Sequence, residues 1–324
     1  MAMTLVDAAK LSNDVLQAGV IELLVKDDPI LERLQFVDIV GNGLTYNVET
    51  TEAGADFYDV GDTWVESTPT TTQHTAVLRI LGGDADVDNF LKATRSNIND
   101  LKAEAIEAKV KAIKKAWSDC FYYGYNTGSP KEFDGIHNLI NSYLAVDSSY
   151  NVVPVGTNNT TPVLLSLTKL EETIDKVKGF KPDLMMMSKM MRRHINVYLR
   201  SAGGITYEDR ANKRVQTLFD IPVGVSDYIK DTENCDKDFG TYFGYEPTTP
   251  SAPSDGATSI FILSFGPKAC CGCHNGGITT VPLGDLETKD ANRYRIKWYT
   301  SIMLQNILSC AKITGVDPDG TVAA

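Results

Sequence analysis

The sequence predicts an α+β chain, and three stretches carry the prediction. Residues 87–124 hold no Pro and no interior Gly and are rich in Ala, Lys and Glu. They place Ile106, Val110, Ile113, Trp117 and Phe121 at steps of three and four, the pattern of one amphipathic helix. Residues 34–81 change to alternation and β-formers, which predicts two long antiparallel strands. Residues 150–228 alternate short apolar runs with helical periodicity, which predicts an α/β unit.

The helix is the spine. At about 1.5 Å per residue it extends for about 50 Å, so its apolar stripe needs an equally long partner. The other face carries charges of both signs, with Asp88 and Lys92, and Glu107 and Lys111, at helical spacing.

With 324 residues, 43% of them hydrophobic, the chain can bury one large core or two smaller ones, and the composition is that of a soluble globular protein. No apolar run approaches the ~18 residues of a membrane span, and the first residues lack the basic-then-apolar order of a signal peptide. The expected setting is a cytosol, with no membrane contact. A net charge of −11 argues against a surface that holds nucleic acid broadly, because the phosphate backbone would repel most of it. Contact with nucleic acid is expected to be local or loose.

In chain order, Leu16, Val20, Leu23 and Leu24 form an apolar stripe at helical spacing, and Asp28-Pro29 stops that helix and can start a short second one. This arm must find a partner for its stripe on its own subunit or a neighbour. In the next segment Leu44, Tyr46 and Val48 alternate with polar residues, and Thr75 to Leu81 supplies the second strand. Between them lies an acidic tip, about 50–72, with Glu49, Glu52, Asp56, Asp59, Asp62 and Glu66, the aromatics Phe57, Tyr58 and Trp64, and no Lys or Arg from Leu34 to Leu78. A lone two-stranded ribbon is marginal in water, and exposed aromatics are a liability, so the tip is expected to lie on another subunit. The contact residues expected there are Phe57, Tyr58, Trp64, Asp56, Asp59, Asp62 and Glu66.

After the helix, Gly128, Ser129 and Pro130 turn the chain, and Phe133, Ile136, Leu139 and Ile140 return it to an apolar core. At this point an order of motifs is on the page: an arm ending in PIL, an acidic hairpin with GDTWVEST, Val87-Asp88 opening the long helix, then EFDGI. That order resembles the major capsid proteins of tailed bacteriophages, whose architecture is the Hong Kong 97 type, shared with encapsulins. The resemblance runs through the rest of the chain. It implies an N-terminal arm over 1–36, an extended hairpin loop over 37–86, a peripheral domain with the spine helix over 87–149 and 229–324, and an axial α/β domain over 150–228.

Within the axial part, Thr168-Lys169-Leu170-Glu171 reads as a capping box, with Leu170, Ile174 and Val177 on one face and Gly179 where the helix ends. Asp183 to Met187 reads as a short buried strand, and Ser188 as the cap of a helix through Arg200 with Met191, Ile195 and Leu199 inward. The three adjacent methionines are adaptable core filling. By resemblance, ITYEDRANKRVQ is a loop near the symmetry axes and LFDIPVGVSDYI a return strand. Arg192, Arg193, Arg200, Arg210, Lys213 and Arg214 make a locally basic stretch, a contact for DNA or for acidic groups on a neighbour, or simply a solvated face.

In the last third, Thr248 to Gly256 reads as a surface loop and Ser259 to Phe265 as a strand. Arg293 to Tyr299 and Ser301 to Ile313 read as two strands or one bent strand. RYRIKWY and TGV resemble the terminal strands of the capsid family's peripheral domain, packed against the spine. Cys270 to His274 spell CCGCH, which formally contains C-x-x-C-H; a metal or redox centre there is the reading from a different class, and buried reduced thiols after an apolar run are the simpler one.

No catalytic constellation is visible. His74, His137, His194 and His274 are widely spaced, and there is no G-x-S-x-G, H-E-x-x-H or P-loop. No enzymatic activity, cofactor or metal is expected. The resemblance implies copies joined as hexamers and pentamers of an icosahedral head around double-stranded DNA, assembled in a bacterial cytoplasm, with portal, scaffolding and decoration proteins as further partners. An encapsulin-like compartment is the alternative within the same fold. The prototype of the family joins subunits by an isopeptide bond from a hairpin lysine, and this hairpin has no lysine to supply.

Overall fold

The computed structural model describes residues 28–95, 101–126, 129–142, 151–156, 162–202, 206–210, 213–233 and 256–322. Pro29 opens a single turn, α1 (Ile30–Arg33), as a ring with fixed φ can. Strand β1 (Phe36–Asp38) follows, then the hairpin of β2 (Gly43–Thr51) and β3 (Thr70–Val77), which pair antiparallel. The chain continues as β4 (Arg79–Asp88), α2 (Asn89–Arg95) and α3 (Leu101–Tyr123).

The helical region begins at Asn89 and not at Val87, because β4 runs through Asp88. Asp88 Oδ1 accepts the N–H groups of Phe90 at 2.8 Å and Leu91 at 3.2 Å, so the residue read as the first helical turn is the cap. Residues 96–100, which the sequence pattern joins into the same helix, lie outside the described residues. So do Leu16, Val20, Leu23 and Leu24 of the arm, and the loop over 248–255.

Two sheets organise the rest. The first has the order β1, β11 (Cys270–Leu286), β12 (Lys289–Leu304), β4, with β1 parallel to β11 and the other pairs antiparallel. The α3 stripe lies on it: Ile113, Trp117 and Phe121 are buried, and Ile106 and Val110 pack at the edge of the same core. The spine and the sheet meet through three rings. Phe36 of β1, Trp117 of α3 and Trp298 of β12 have mutual centroid distances of 5.8, 5.6 and 5.8 Å, and Trp117 Nε1–H donates to Thr300 Oγ1 at 3.2 Å. Gly272 of β11 makes room for this, since a Cβ there would sit 2.5 Å from the Phe36 ring.

The second sheet has seven strands in the order β5 (Val152–Pro154), β13 (Cys310–Val316), β10 (Thr258–Leu263), β6 (Leu184–Met187), β9 (Ile221–Val225), β8 (Lys213–Leu218), β7 (Thr206–Arg210). It is covered on both faces, which is why β6 and β10 are buried at every position rather than alternately. Leu184, Met186, Phe261 and Leu263 join the core under α3 and α4 (Ile136–Ser142). Met185, Met187, Ile260 and Ile262 join a second core under α5 (Leu167–Lys176) and α6 (Lys189–Ala202).

Details differ from the sequence pattern in three places. The cap position of α5 is Ser166, so Thr168 lies inside the first turn and the Thr168–Glu171 capping box does not form. Ser188 does cap α6, its Oγ accepting Met191 N–H at 3.2 Å. The segment read as a loop, ITYEDRANKRVQ, contributes β7 and β8, an antiparallel pair. The final strands divide at 305–309, where a 3-10 turn (Ile307–Ser309) separates β12 from β13, so Arg293 to Leu304 is one strand.

Because Trp117 is buried against four other aromatic rings, Trp117→Ala removes a large side chain from a close-packed site. The expected cost is about 3–5 kcal/mol in urea unfolding, and a cost under about 1 kcal/mol would show that the ring contact does not organise the core.

Candidate assembly surface

The hairpin tip is ordered by its own side chains. Tyr58 stacks on Trp64 at 4.4 Å with 22° between planes, and Tyr58 Oη accepts Val65 N–H at 3.1 Å. Asp62 Oδ2 accepts Asp59 N–H at 2.7 Å, Asp59 Oδ1 accepts Val60 N–H at 2.8 Å, and the turn passes through Gly61 at φ +99°, a conformation that suits glycine. Two of the expected contact carboxylates therefore spend hydrogen bonds on shaping the turn. Large apolar side chains also face outward: Phe57 and Val60 are fully exposed, and Trp64 and Val65 largely so. Val60 and Val65 were not singled out by pattern, although two valines in an acidic, non-periodic loop are the readable signal. Asp56 and Glu66 are exposed on the same tip, and Tyr58 is partly covered by Trp64.

The root of the hairpin is held rigidly. Leu78 N–H donates to Asn42 O at 2.9 Å, and Tyr46 Oη–H donates to Leu304 O at 3.1 Å. Beyond Leu78 the chain enters β4, where two arginine–carboxylate pairs face each other across the register with β12. Arg293 binds Asp86 through two hydrogen bonds at 2.6 and 2.7 Å, and Arg295 binds Asp84 through two at 2.8 Å. The guanidinium hydrogen bonds hold both carboxyls below the usual carboxylate range. The sequence signal for this ladder is the pair of opposite-charge repeats, Asp84-x-Asp86 and Arg293-x-Arg295.

The basic stretch is split between helix and hairpin. Arg192, Arg193 and Arg200 are exposed on α6, and Lys189 beside them pairs with Asp227 at 2.6 Å. Arg210, Lys213 and Arg214 occupy the end of the β7–β8 pair, with Arg210 opposite Lys213 and Asp209 opposite Arg214 in the register. A contact between Gln216 Nε2–H and Asn196 Oδ1 brings β8 against α6.

The cysteine cluster lies on a strand. Successive residues of β11 point to opposite faces, so Cys270 packs in the core under α3 while Cys271 and Cys273 pack in a separate cluster with Ile39 and Met303. The C-x-x-C spacing therefore sends its two sulfurs apart rather than onto one ion. All three side chains are buried, and burial pushes Cys271 up to about 11 and Cys273 up to about 12. Among the described residues no group of three or more His, Cys, Asp or Glu side chains is arranged to hold a metal, and no helix is long and apolar enough to cross a membrane.

No protein-family model and no curated protein matches the chain by sequence. Solved structures match its fold end to end. The holo-SrpI encapsulin complex of Synechococcus elongatus PCC 7942 is similar at a TM-score of 0.64 and 15% identity, covering 100% of this chain and 99% of that one. The capsid of an empty GTA particle is similar at 0.66 and 10% identity, covering 95% and 96%. The structure from Mycobacterium phage Bobi is similar at 0.60 and 12% identity, covering 100% of both.

The acid behaviour of the β4–β12 ladder follows from its geometry. Carboxyls held below their ordinary value contribute stability that is complete above about pH 4 and is lost as pH falls through the lowered value. Asp84→Asn with Asp86→Asn is expected to flatten the fall in thermal midpoint between pH 4.5 and pH 2.5 (about those limits, from the reference carboxylate range). Parallel acid profiles for the wild type and the double variant would show that the ladder carries none of it.

Proposed function

We propose, from the Hong Kong 97-type fold that the chain shares with these shell structures, that it is a capsid subunit: many copies form hexamers and pentamers that close into an icosahedral head around double-stranded DNA. The observation that carries the reading is the end-to-end match, over 95–100% of this chain, to encapsulin and capsid chains of nearly the same extent. The role is structural rather than catalytic.

The tip supports the same reading on physical grounds. A ribbon that holds Phe57, Val60, Trp64 and Val65 out into solvent, on a turn stiffened by its own carboxylates, presents an apolar contact prepared before any partner arrives. A second copy of the chain is the partner proposed, with Asp56 and Glu66 meeting cations at the rim. Donor and receiver surfaces differ, so the contact is head-to-tail, and such contacts close into rings and, with small changes of curvature, into shells. Arg192 and Arg193 on α6, with Arg210, Lys213 and Arg214 nearby, are proposed to touch the enclosed DNA loosely. Portal, scaffolding and decoration proteins would be the further partners of such a head.

Electron microscopy of the expressed chain tests the reading: closed shells are expected, and a monodisperse monomer at high concentration would overturn it. Nuclease-treated particles that retain double-stranded DNA support the phage head, whereas particles that hold protein cargo and no DNA replace it with the encapsulin alternative. Phe57→Ala with Trp64→Ala is expected to leave the subunit folded and raise the assembly threshold by tenfold or more, about 1.4 kcal/mol per contact or above, as for buried aromatic anchors. Unchanged assembly would exclude the tip from the contact. Since no lysine lies between Leu34 and Leu78, mature particles boiled in denaturant are expected to run as a single monomer band; a covalent ladder would contradict this.

A further inference from the structure

The seam between the helix ends and the seven-stranded sheet holds ionisable groups where the sheet otherwise presents apolar ones. β13 sends Ala311 and Ile313 into the core under α5 and α6, and Cys310 into the core under α3 and α4. Lys312 shares the face of Cys310 and is fully buried. Its Nζ donates to His137 O at 3.0 Å and lies 2.9 Å from His137 Nδ1, on α4.

A second buried ionisable group joins the seam. Glu233, in the link between β9 and β10, accepts hydrogen bonds from Tyr123 Oη–H at 2.6 Å and Ser259 Oγ–H at 2.5 Å. Tyr123 ends α3, its oxygen accepts Lys230 N–H at 2.8 Å, and the Lys230 ammonium lies 4.8 Å from the centre of its ring. The His137 ring is flanked by Tyr123 at 6.1 Å and by Phe261 of β10 at 5.9 Å. Asp231 is the other charge acting on Glu233, and on the β5 side Lys312 meets Val152 in the register and Asn151 O through its own N–H at 2.9 Å. Each element that meets at the seam thus contributes to one enclosed network.

We propose that this network is a latch between the spine-bearing body and the seven-stranded sheet, and that its grip is set by the protonation of Lys312 and Glu233. The proposal rests on the fold and is independent of the shell reading. A buried ammonium beside a neutral imidazole is held against the cost of leaving water, and the latch tightens when that charge is lost.

The pH dependence has a definite sign. Burial pushes Lys312 down to about 7, while the unfolded chain keeps that proton to about 10.4, so stability rises with pH from about 7 upward. Burial pushes Glu233 up to about 7, so its contribution is present at low pH and lost as pH rises from about 4.5 to about 7. His137 and His74 are held below their ordinary value by burial, and Asp28 is pushed up by burial to about 6, so all three act below neutrality. Thiols join from about pH 8.5, the ordinary cysteine value: Cys120, Cys271 and Cys273 are raised by burial and Cys270 by its hydrogen bond with Cys310 and by burial, whereas Cys310, on the face of Lys312, is lowered. The interval from about pH 7 to pH 8 therefore reports chiefly on Lys312, and above it the comparison with a variant that lacks the amine isolates the share of Lys312.

Thermal unfolding of the full chain at about pH 7, 8 and 9 tests this. The wild-type midpoint minus that of Lys312→Met is expected to rise by about 3–5 °C over the interval, the thiols being common to both proteins. Parallel profiles overturn the proposal. Glu233→Gln is expected to keep the rise above neutrality and to lose the fall between about pH 6 and pH 7, above the range in which Asp28 acts; a variant profile that keeps that fall assigns it elsewhere and overturns the role of Glu233. Should Lys312→Met not fold, hydrogen exchange of the wild type decides: protection of residues 310–314, corrected for the intrinsic rate, must increase from pH 7 to pH 9, and constant protection removes Lys312 as the gate.

Discussion

The contact among Phe36, Trp117 and Trp298 fixes the layout of the outer body. The three rings come from β1, the spine helix and the longest antiparallel ribbon, so one cluster sets where the chain emerges from its N-terminal segment, how the helix lies on the sheet, and where the C-terminal strand returns. Aromatic pairs at these separations add specific geometry to a large apolar burial. Gly272 shows how tightly the arrangement is drawn, because β11 has no space for a side chain beneath the Phe36 ring. The hairpin inherits its direction from the same cluster: β4 pairs with the strand that carries Trp298, with Trp298 opposite Leu81, and the ribbon beyond Leu78 leaves from there.

The seven-stranded sheet answers a different constraint. Its two faces belong to two cores, one shared with the spine and one with α5 and α6, so alternate residues of a single strand stabilise different parts of the molecule. Strand β13 shows the consequence. Three of its neighbours along the chain, Cys310, Ala311 and Ile313, are conventional core residues, and Lys312 between them is a lysine that no pattern of hydrophobicity would place inside. Polar groups in such a position hold register at the cost of desolvation, and the His137, Tyr123 and Glu233 side chains arriving from three other elements are what makes that cost tolerable.

What was legible in the sequence follows from which interactions are local. The α3 stripe, the short helical turn after Pro29, the buried strand at Leu184, the Ser188 cap and the acidic ribbon all depend on spacing within one segment, and each is present in the structure. The long strand β11 escaped because Gly276, Gly277, Pro282 and Gly284 interrupt its pattern; its pairing with β12 slips at those places and resumes. The shift of the helix start from Val87 to Asn89 has the same origin, since an aspartate before a helix reads equally well as a first-turn acid and as a cap, and only the pairing of β4 with β12 decides. At the tip, the aromatics and carboxylates were visible as types, whereas the division of labour between them was not. That Tyr58 and Asp62 build the turn while Phe57 and Val60 face outward depends on side chains folding back across it.

That division of labour bears on how such a ribbon can act without covalent help. An exposed ion pair contributes only about 0 to 1 kcal/mol, so a tip that relied on its carboxylates for attachment would hold weakly and would let go in salt. Committing Asp59 and Asp62 to the turn places charge where it shapes the backbone and leaves the outward surface to apolar side chains, whose burial against a partner is insensitive to screening. The remaining acids then act over distance, repelling identical tips before contact and favouring a cationic receiver, while the apolar residues supply the holding energy after it. Stiffness completes the logic: a ribbon already ordered at its turn, its root and its ladder loses little further freedom on docking, so more of the contact energy is available for association.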